Sequence, residues 1–267
     1  MNRRDFLASA AVAGLALAST GRLDAADAKP SNQLVELRVY HFASAEKQQA
    51  FAEFLAKSAV PAFNRAGVTP VGVFKATKED NGKFTGDFND LYVLLAHGSF
   101  ESYADLPNKL AADQQYNAAA QDILDAPRKE PAYTSVDTSL ILSWDSVAKV
   151  EVPFKDDTRV FQLRIYQAHN DAKAIRKSEM FVAGGEMDIF RSVGMPPVFG
   201  GRALAGSLMP NVTYMLAHKT PDGLKTGWSA FGGSPAWKKL RADETYKDTD
   251  PIKIVNIVLR PVAGSQI

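Results

Sequence analysis

The residues best equipped for chemistry sit on a short stretch that the chain uses twice. Val35-Glu36-Leu37-Arg38-Val39-Tyr40 returns as Phe161-Gln162-Leu163-Arg164-Ile165-Tyr166, 126 positions later. A guanidinium fork grips carboxylates and a tyrosine donates one hydrogen bond. Arg38, Tyr40, Arg164 and Tyr166 are therefore equipped to clamp an anionic or carbonyl-bearing ligand. The plainer reading is that Glu36 pairs with Arg38, Gln162 supports Arg164 and the tyrosines fill space, because buried charges are usually paired. The four histidines are His41, His97, His169 and His218. They show no H-x-H or H-x-x-E-H spacing, so no metal site and no cofactor is expected. The chain has no cysteine, which excludes thiol nucleophiles, thiolate metal sites and iron–sulfur clusters. Gly200-Gly201 and Gly232-Gly233 belong to no phosphate-binding motif, and no G-x-S-x-G occurs. No catalytic residue can be assigned. Trp228, Phe231 and Trp237 read as helix packing around Pro235 rather than as a cofactor stack.

The elements that must carry these residues also come twice. Leu34 to His41 reads as a strand with period-two alternation. Ser44 can cap the helix that follows, and Pro61 should kink or restart it. Val68 to Lys75, Leu91 to His97 and Val136 to Trp144 read as further strands. A helical stretch between the last two is interrupted at Pro107. The order is β-α-β-β-α-β. It restarts at Val160 and ends with a strand over Ile252 to Arg260. Gly184-Gly185 weakens the first helix of this second pass. Leu95-Ala96-His97 recurs as Leu216-Ala217-His218, and Tyr116 as Tyr246, at offsets of 121 and 130 positions. One register with small loop insertions accounts for all three offsets. The division is a first repeat over 29–145, a linker over 146–158 and a second repeat over 159–267.

Each such unit carries helices on one face of its sheet, so the other face needs cover. The expected fold is α+β, with two tandem ferredoxin-like repeats closing into a pseudo-dimer of the dimeric α/β-barrel type. Matching apolar faces places Leu37, Val39, Leu163 and Ile165 against the helices. Glu36, Arg38, Tyr40, Gln162, Arg164 and Tyr166 then line a shared barrel interior. His97, Tyr214 and His218 complete the candidate ligand-binding set, although the inward parity of their strands stays open.

Hydrophobic residues make up 46% of the 267 and charged residues 23%, with a net charge of +1. Such balance gives no footprint for nucleic acid. Residues 1–28 read as a twin-arginine export signal: Arg3-Arg4-Asp5-Phe6-Leu7, a short apolar run, then Ala26-Asp27-Ala28 as a cleavage site. The expected location is periplasmic or secreted, with no transmembrane segment once the leader is removed.

The chain resembles the NIPSNAP family. Glu36 to Tyr40, Tyr133 with Ser139-Leu140, and Phe161 to Tyr166 carry the likeness. So do Pro210-Asn211-Val212-Thr213-Tyr214-Met215-Leu216, then Trp228, Phe231, Pro235, Trp237 to Leu240, and Ser265-Gln266-Ile267. The resemblance implies the dimeric α/β barrel and brings no agreed catalytic residues. Relatives by fold include cofactor-free monooxygenases and haem-dependent enzymes. The expectation is an exported small-molecule-binding protein with its ligand in the barrel interior. The alternatives are a cofactor-free oxygenase-like enzyme, a haem or metal protein, and a non-enzymatic interaction scaffold. Further assembly into homo-oligomers is allowed.

Overall fold

The computed structural model describes residues 32–82 and 86–267. The leader expected over 1–28 lies outside them. The first half of the chain forms β1 (Leu34–His41), α1 (Ala45–Phe54), α2 (Val60–Arg65), β2 (Val71–Ala76) and β3 (Leu91–His97). It continues with α3 (Phe100–Ala112), α4 (Gln114–Leu124) and β4 (Ser135–Ser143). The second half forms β5 (Val160–Gln167), α5 (Asp171–Val182), α6 (Glu186–Ser192), β6 (Pro197–Ala205) and β7 (Asn211–His218). It ends with α7 (Pro221–Gly233), α8 (Pro235–Arg241) and β8 (Lys253–Pro261). None of the described helices is long and apolar enough to cross a membrane.

Local chemistry sets the helix boundaries. Ser44, Ser99, Asn170 and Thr220 stand in extended conformation before α1, α3, α5 and α7. Each side chain accepts the backbone N–H three residues on, satisfying a donor the helix cannot. Between α1 and α2 the chain runs through a π-turn over Leu55–Ala59, and Pro61 opens α2, where its missing N–H costs nothing. Pro107 does not interrupt its helix as expected, for α3 runs past it to Ala112. The break falls at Asp113, whose carboxylate caps α4 by accepting from Tyr116 N. A break needs a cap for the next helix, and Asp113 supplies one. Gly185, at φ +80°, separates α5 from α6.

The eight strands close into an antiparallel barrel in the order β1-β3-β2-β8-β5-β7-β6-β4, with β4 returning to β1. Within each half the pairing is extensive, with seven residue pairs in β1–β3 and eight in β5–β7. The seams between halves are shorter: three pairs in β2–β8, and four in β4–β6 with a register shift. The segment after β8 lengthens the first seam. Gln266 bonds both backbone groups of Val71, at 2.9 and 2.8 Å, and Ser265 Oγ accepts from Val73 N at 3.0 Å.

The interior is apolar. One apolar cluster draws on all eight strands, among them Val35, Leu37, Phe74, Leu94, Ile141, Phe161, Leu163, Phe199, Met215 and Leu259, with Ile267 beside them. The rings of Phe74 and Phe161 meet across it, 5.0 Å apart. This corrects the expected orientation of the repeated strand. Its apolar face points into the barrel, and Glu36, Arg38, Tyr40, Gln162, Arg164 and Tyr166 point outward, under the helices. The reason is closure: the inside of an eight-stranded barrel holds little more than its own side chains, so the apolar residues go there. The helix layer is open at its rim and can host polar side chains. Phe161→Ala should therefore cost about 3–5 kcal/mol, as for a packed core aromatic. Urea denaturation checks this, and a loss below about 1 kcal/mol would point instead to spare internal volume.

Candidate functional site

Outward-facing residues of β1 and β3 meet a layer from α1–α4 that includes Phe51, Phe63 and Leu106. Beneath it lies a closed polar network. Glu36 takes Arg38 in two bonds, Nε to Oε1 at 2.6 Å and Nη2 to Oε2 at 3.1 Å. Its Oε2 also lies 3.0 Å from His97 Nε2. Arg38 Nη1 donates to Tyr40 OH at 3.3 Å. His97 Nδ1 faces Ser102 Oγ on α3 at 3.4 Å. Burial pushes the Glu36 carboxyl up, but its bonds to His97 and Arg38 more than offset this and hold it below its usual range. Every side-chain nitrogen and oxygen of Glu36, Arg38 and His97 has a partner inside the chain.

The second half has the same strand positions and a different outcome. Gln162 replaces Glu36 and turns elsewhere: its Nε2 donates to Asn256 Oδ1 on β8 at 2.8 Å, and its Oε1 accepts from Trp228 Nε1 at 2.6 Å. Arg164 thus has no carboxylate from its own strand. Its guanidinium lies over the rings of Trp228 and Tyr166, at 4.6 and 5.2 Å, and its buried Nε has no hydrogen-bond partner. Tyr214 OH donates to Tyr166 OH at 2.9 Å.

A second buried pair completes the layer. Lys177 Nζ on α5 stands 3.6 Å from Glu186 Oε2 at the start of α6, and 5.8 Å from the Tyr166 ring. Glu186 Oε2 accepts no hydrogen bond. Burial pushes the Glu186 carboxyl up, against the pull of Lys177 and Arg164. Burial likewise raises Tyr214 well above the usual phenol value. His218 is buried with both ring nitrogens unpartnered, and burial lowers its pKa to about 4.

The nine expected ligand residues thus form two sets, not one. Glu36, Arg38, Tyr40 and His97 share the first layer, while Gln162, Arg164, Tyr166, Tyr214 and His218 share the second. Antiparallel pairing puts His41 at the opposite end of β1 from His97, where it bonds Asp90 at 2.7 Å and Asp137 at 3.3 Å. Sequence reasoning missed Lys177 and Glu186, and took Trp228 for packing alone. Their signal was the presence of charged residues on the buried side of the second repeat's first helices. Among the described residues, no group of three His, Asp or Glu is placed to hold a metal ion.

No protein-family profile and no curated protein matches the chain. Solved structures do. A candidate monooxygenase from Lactobacillus acidophilus NCFM is 12% identical, with a TM-score of 0.56 over 86% of this chain and 94% of its own. Another from Fusobacterium nucleatum is 10% identical, with a TM-score of 0.56 over 86% of this chain and 93% of its own. NIPSNAP proteins are also among the structural neighbours. A NIPSNAP-like domain protein from Burkholderia xenovorans covers 42% of this chain and 91% of its own, at 16% identity and a TM-score of 0.37. At these identities the likeness is one of fold, an α+β antiparallel barrel.

The first-half network sets an acid limit on stability. With its folded pKa below the reference value of 4.5, Glu36 contributes stability that is full above that value and lost as pH falls through the folded one. Glu36→Gln should cost about 3–5 kcal/mol near pH 7, since it leaves Arg38 without its anion. It should also flatten the acid side of the stability curve. Urea titrations of both proteins between pH 3 and 7 check the two effects together.

Proposed function

We propose that the chain is a NIPSNAP-type small-molecule-binding protein whose second half takes an anionic or carbonyl-bearing ligand at Arg164, between sheet and helices. One observation carries the reading: Arg38 is filled by Glu36, while Arg164 has no such carboxylate and keeps a buried, unpartnered Nε. A buried donor left unpaired costs ~1–3 kcal/mol, which a ligand oxygen recovers. Tyr166 supplies a hydroxyl beside it and Trp228 a flat apolar wall.

The same proposal takes the architecture as two tandem ferredoxin-like repeats. Its support is the matching strand order of the halves, β4-β1-β3-β2 and β8-β5-β7-β6. Export rests on the Arg3-Arg4 leader of the sequence. A second reading is a cofactor-free oxygenase of the dimeric α/β-barrel group. It is favoured by the raised Glu186 carboxyl beside Arg164 and Tyr166, a carboxyl poised to exchange a proton with a ligand whose developing negative charge Arg164 would hold.

Native mass spectrometry of the purified chain should show a retained small molecule. Arg164→Met should remove it and weaken binding of an added carboxylate, benzoate, roughly 10- to 100-fold in calorimetric titration, the value of one charge-assisted contact. The variant should keep its melting temperature within a few degrees, because Arg164 closes no ion pair as Arg38 does. Unchanged benzoate affinity in Arg164→Met would remove the reading.

A further inference from the structure

We propose that the second half receives a ligand carboxylate where the first half holds that of Glu36, bridged between the Arg164 guanidinium and the His218 imidazole. The proposal rests on the reading of Arg164 as a ligand-binding residue and names the chemistry and the second anchor.

The two halves supply the template. His97 opposes Leu34 and Glu36 opposes Leu95; in the second half His218 opposes Val160 and Gln162 opposes Leu216. In the first half one oxygen, Glu36 Oε2, serves both Arg38 Nη2 at 3.1 Å and His97 Nε2 at 3.0 Å. The other ring nitrogen of His97 faces Ser102 Oγ. Both partners are gone from the second half. Gln162 replaces Glu36 and turns to Asn256 and Trp228. Gly223 replaces Ser102; the two are matched because Ser99 and Thr220 cap their helices on the N–H of these residues. Three buried nitrogens are left bare as a result: Arg164 Nε and His218 Nδ1 and Nε2. A carboxylate can accept from a guanidinium and from an imidazole N–H at once, the arrangement Glu36 has with their counterparts.

Binding then carries a proton. Burial is the one cause of the low value near 4 for His218, so the imidazole is neutral in the free chain at neutral pH. The charged groups next to it in the chain and on the paired strand have other contacts, although Arg159 Nε is also without a partner. Lys219 Nζ lies over the Phe154 ring, Arg159 donates to the carbonyls of Asp156 and Ile267, Asp222 pairs with Lys225, and Arg164 lies against Trp228. An anion beside His218 raises its pKa in the complex. The gain in affinity is lost as pH rises through the bound value, and it grows as pH falls only until the ligand carboxylate is itself protonated. Each unit of that rise is worth tenfold in affinity.

Gln162→Glu tethers a carboxylate at the site and needs no ligand. In histidine-labelled protein followed by NMR, the His218 midpoint should rise by at least one unit over wild type. An unchanged or lower midpoint overturns the bridge. Benzoate added to the wild-type chain gives a second measurement that does not depend on the variant folding. His218 and Arg164 Nε resonances moving together support the bridge. Arg164 moving without His218 overturns it and leaves the binding reading standing. No response at either residue overturns both.

Discussion

Closure of the barrel is the constraint from which everything else follows. Eight antiparallel strands with no free edge enclose a space just wide enough for their own side chains. Alternation along each strand then gives the interior one set of residues and the helices the other. Once Val35, Leu37, Phe161 and Leu163 go inward, Glu36, Arg38, Gln162 and Arg164 have no choice of direction. They must be accommodated between sheet and helix, Glu36 and Gln162 buried and the two arginines half-buried, where each polar group needs a partner from the same layer.

The two halves meet that requirement differently, and the difference is one carboxylate. In the first, Glu36 closes a circuit with Arg38 and His97. In the second, an uncharged amide stands in its place, and the cation it would have served stacks on aromatic rings. The layer still collects charge, since Lys177 and Glu186 enter from α5 and α6. Glu36, Arg38 and His97 thus satisfy one another, while Arg164 Nε and both ring nitrogens of His218 stay without a partner.

The sequence was informative about elements and poor on direction. The first strand, the split order of elements and the restart at Val160 follow from alternation, caps and the repeated Leu-Arg-Val/Ile-Tyr. These signals are local. Which face turns inward is not local: it depends on whether the sheets close around their apolar or their polar faces, and both patterns look alike on one strand. Glu36, Arg38, Tyr40, Gln162, Arg164 and Tyr166 do share one face of their strands, but alternation alone puts that face on the wrong side of the sheet. Lys177 and Glu186 escaped notice because a lysine and a glutamate on an amphipathic helix look solvated until the packing partner is known. Pro107 shows the same limit in miniature, since the helix ends where Asp113 can cap its successor.

The uneven seams have a mechanical consequence. The halves are zipped together by three residue pairs on one side and four on the other, and the lighter side depends on Ser265 and Gln266 to hold Val71 and Val73. A barrel opens first along its least-paired line. Here that line runs between β2 and β8, with Ile267 as the stopper behind it. Loosening of that seam therefore begins at the last three residues, where Ile267 is the first apolar side chain of the interior to lose its cover.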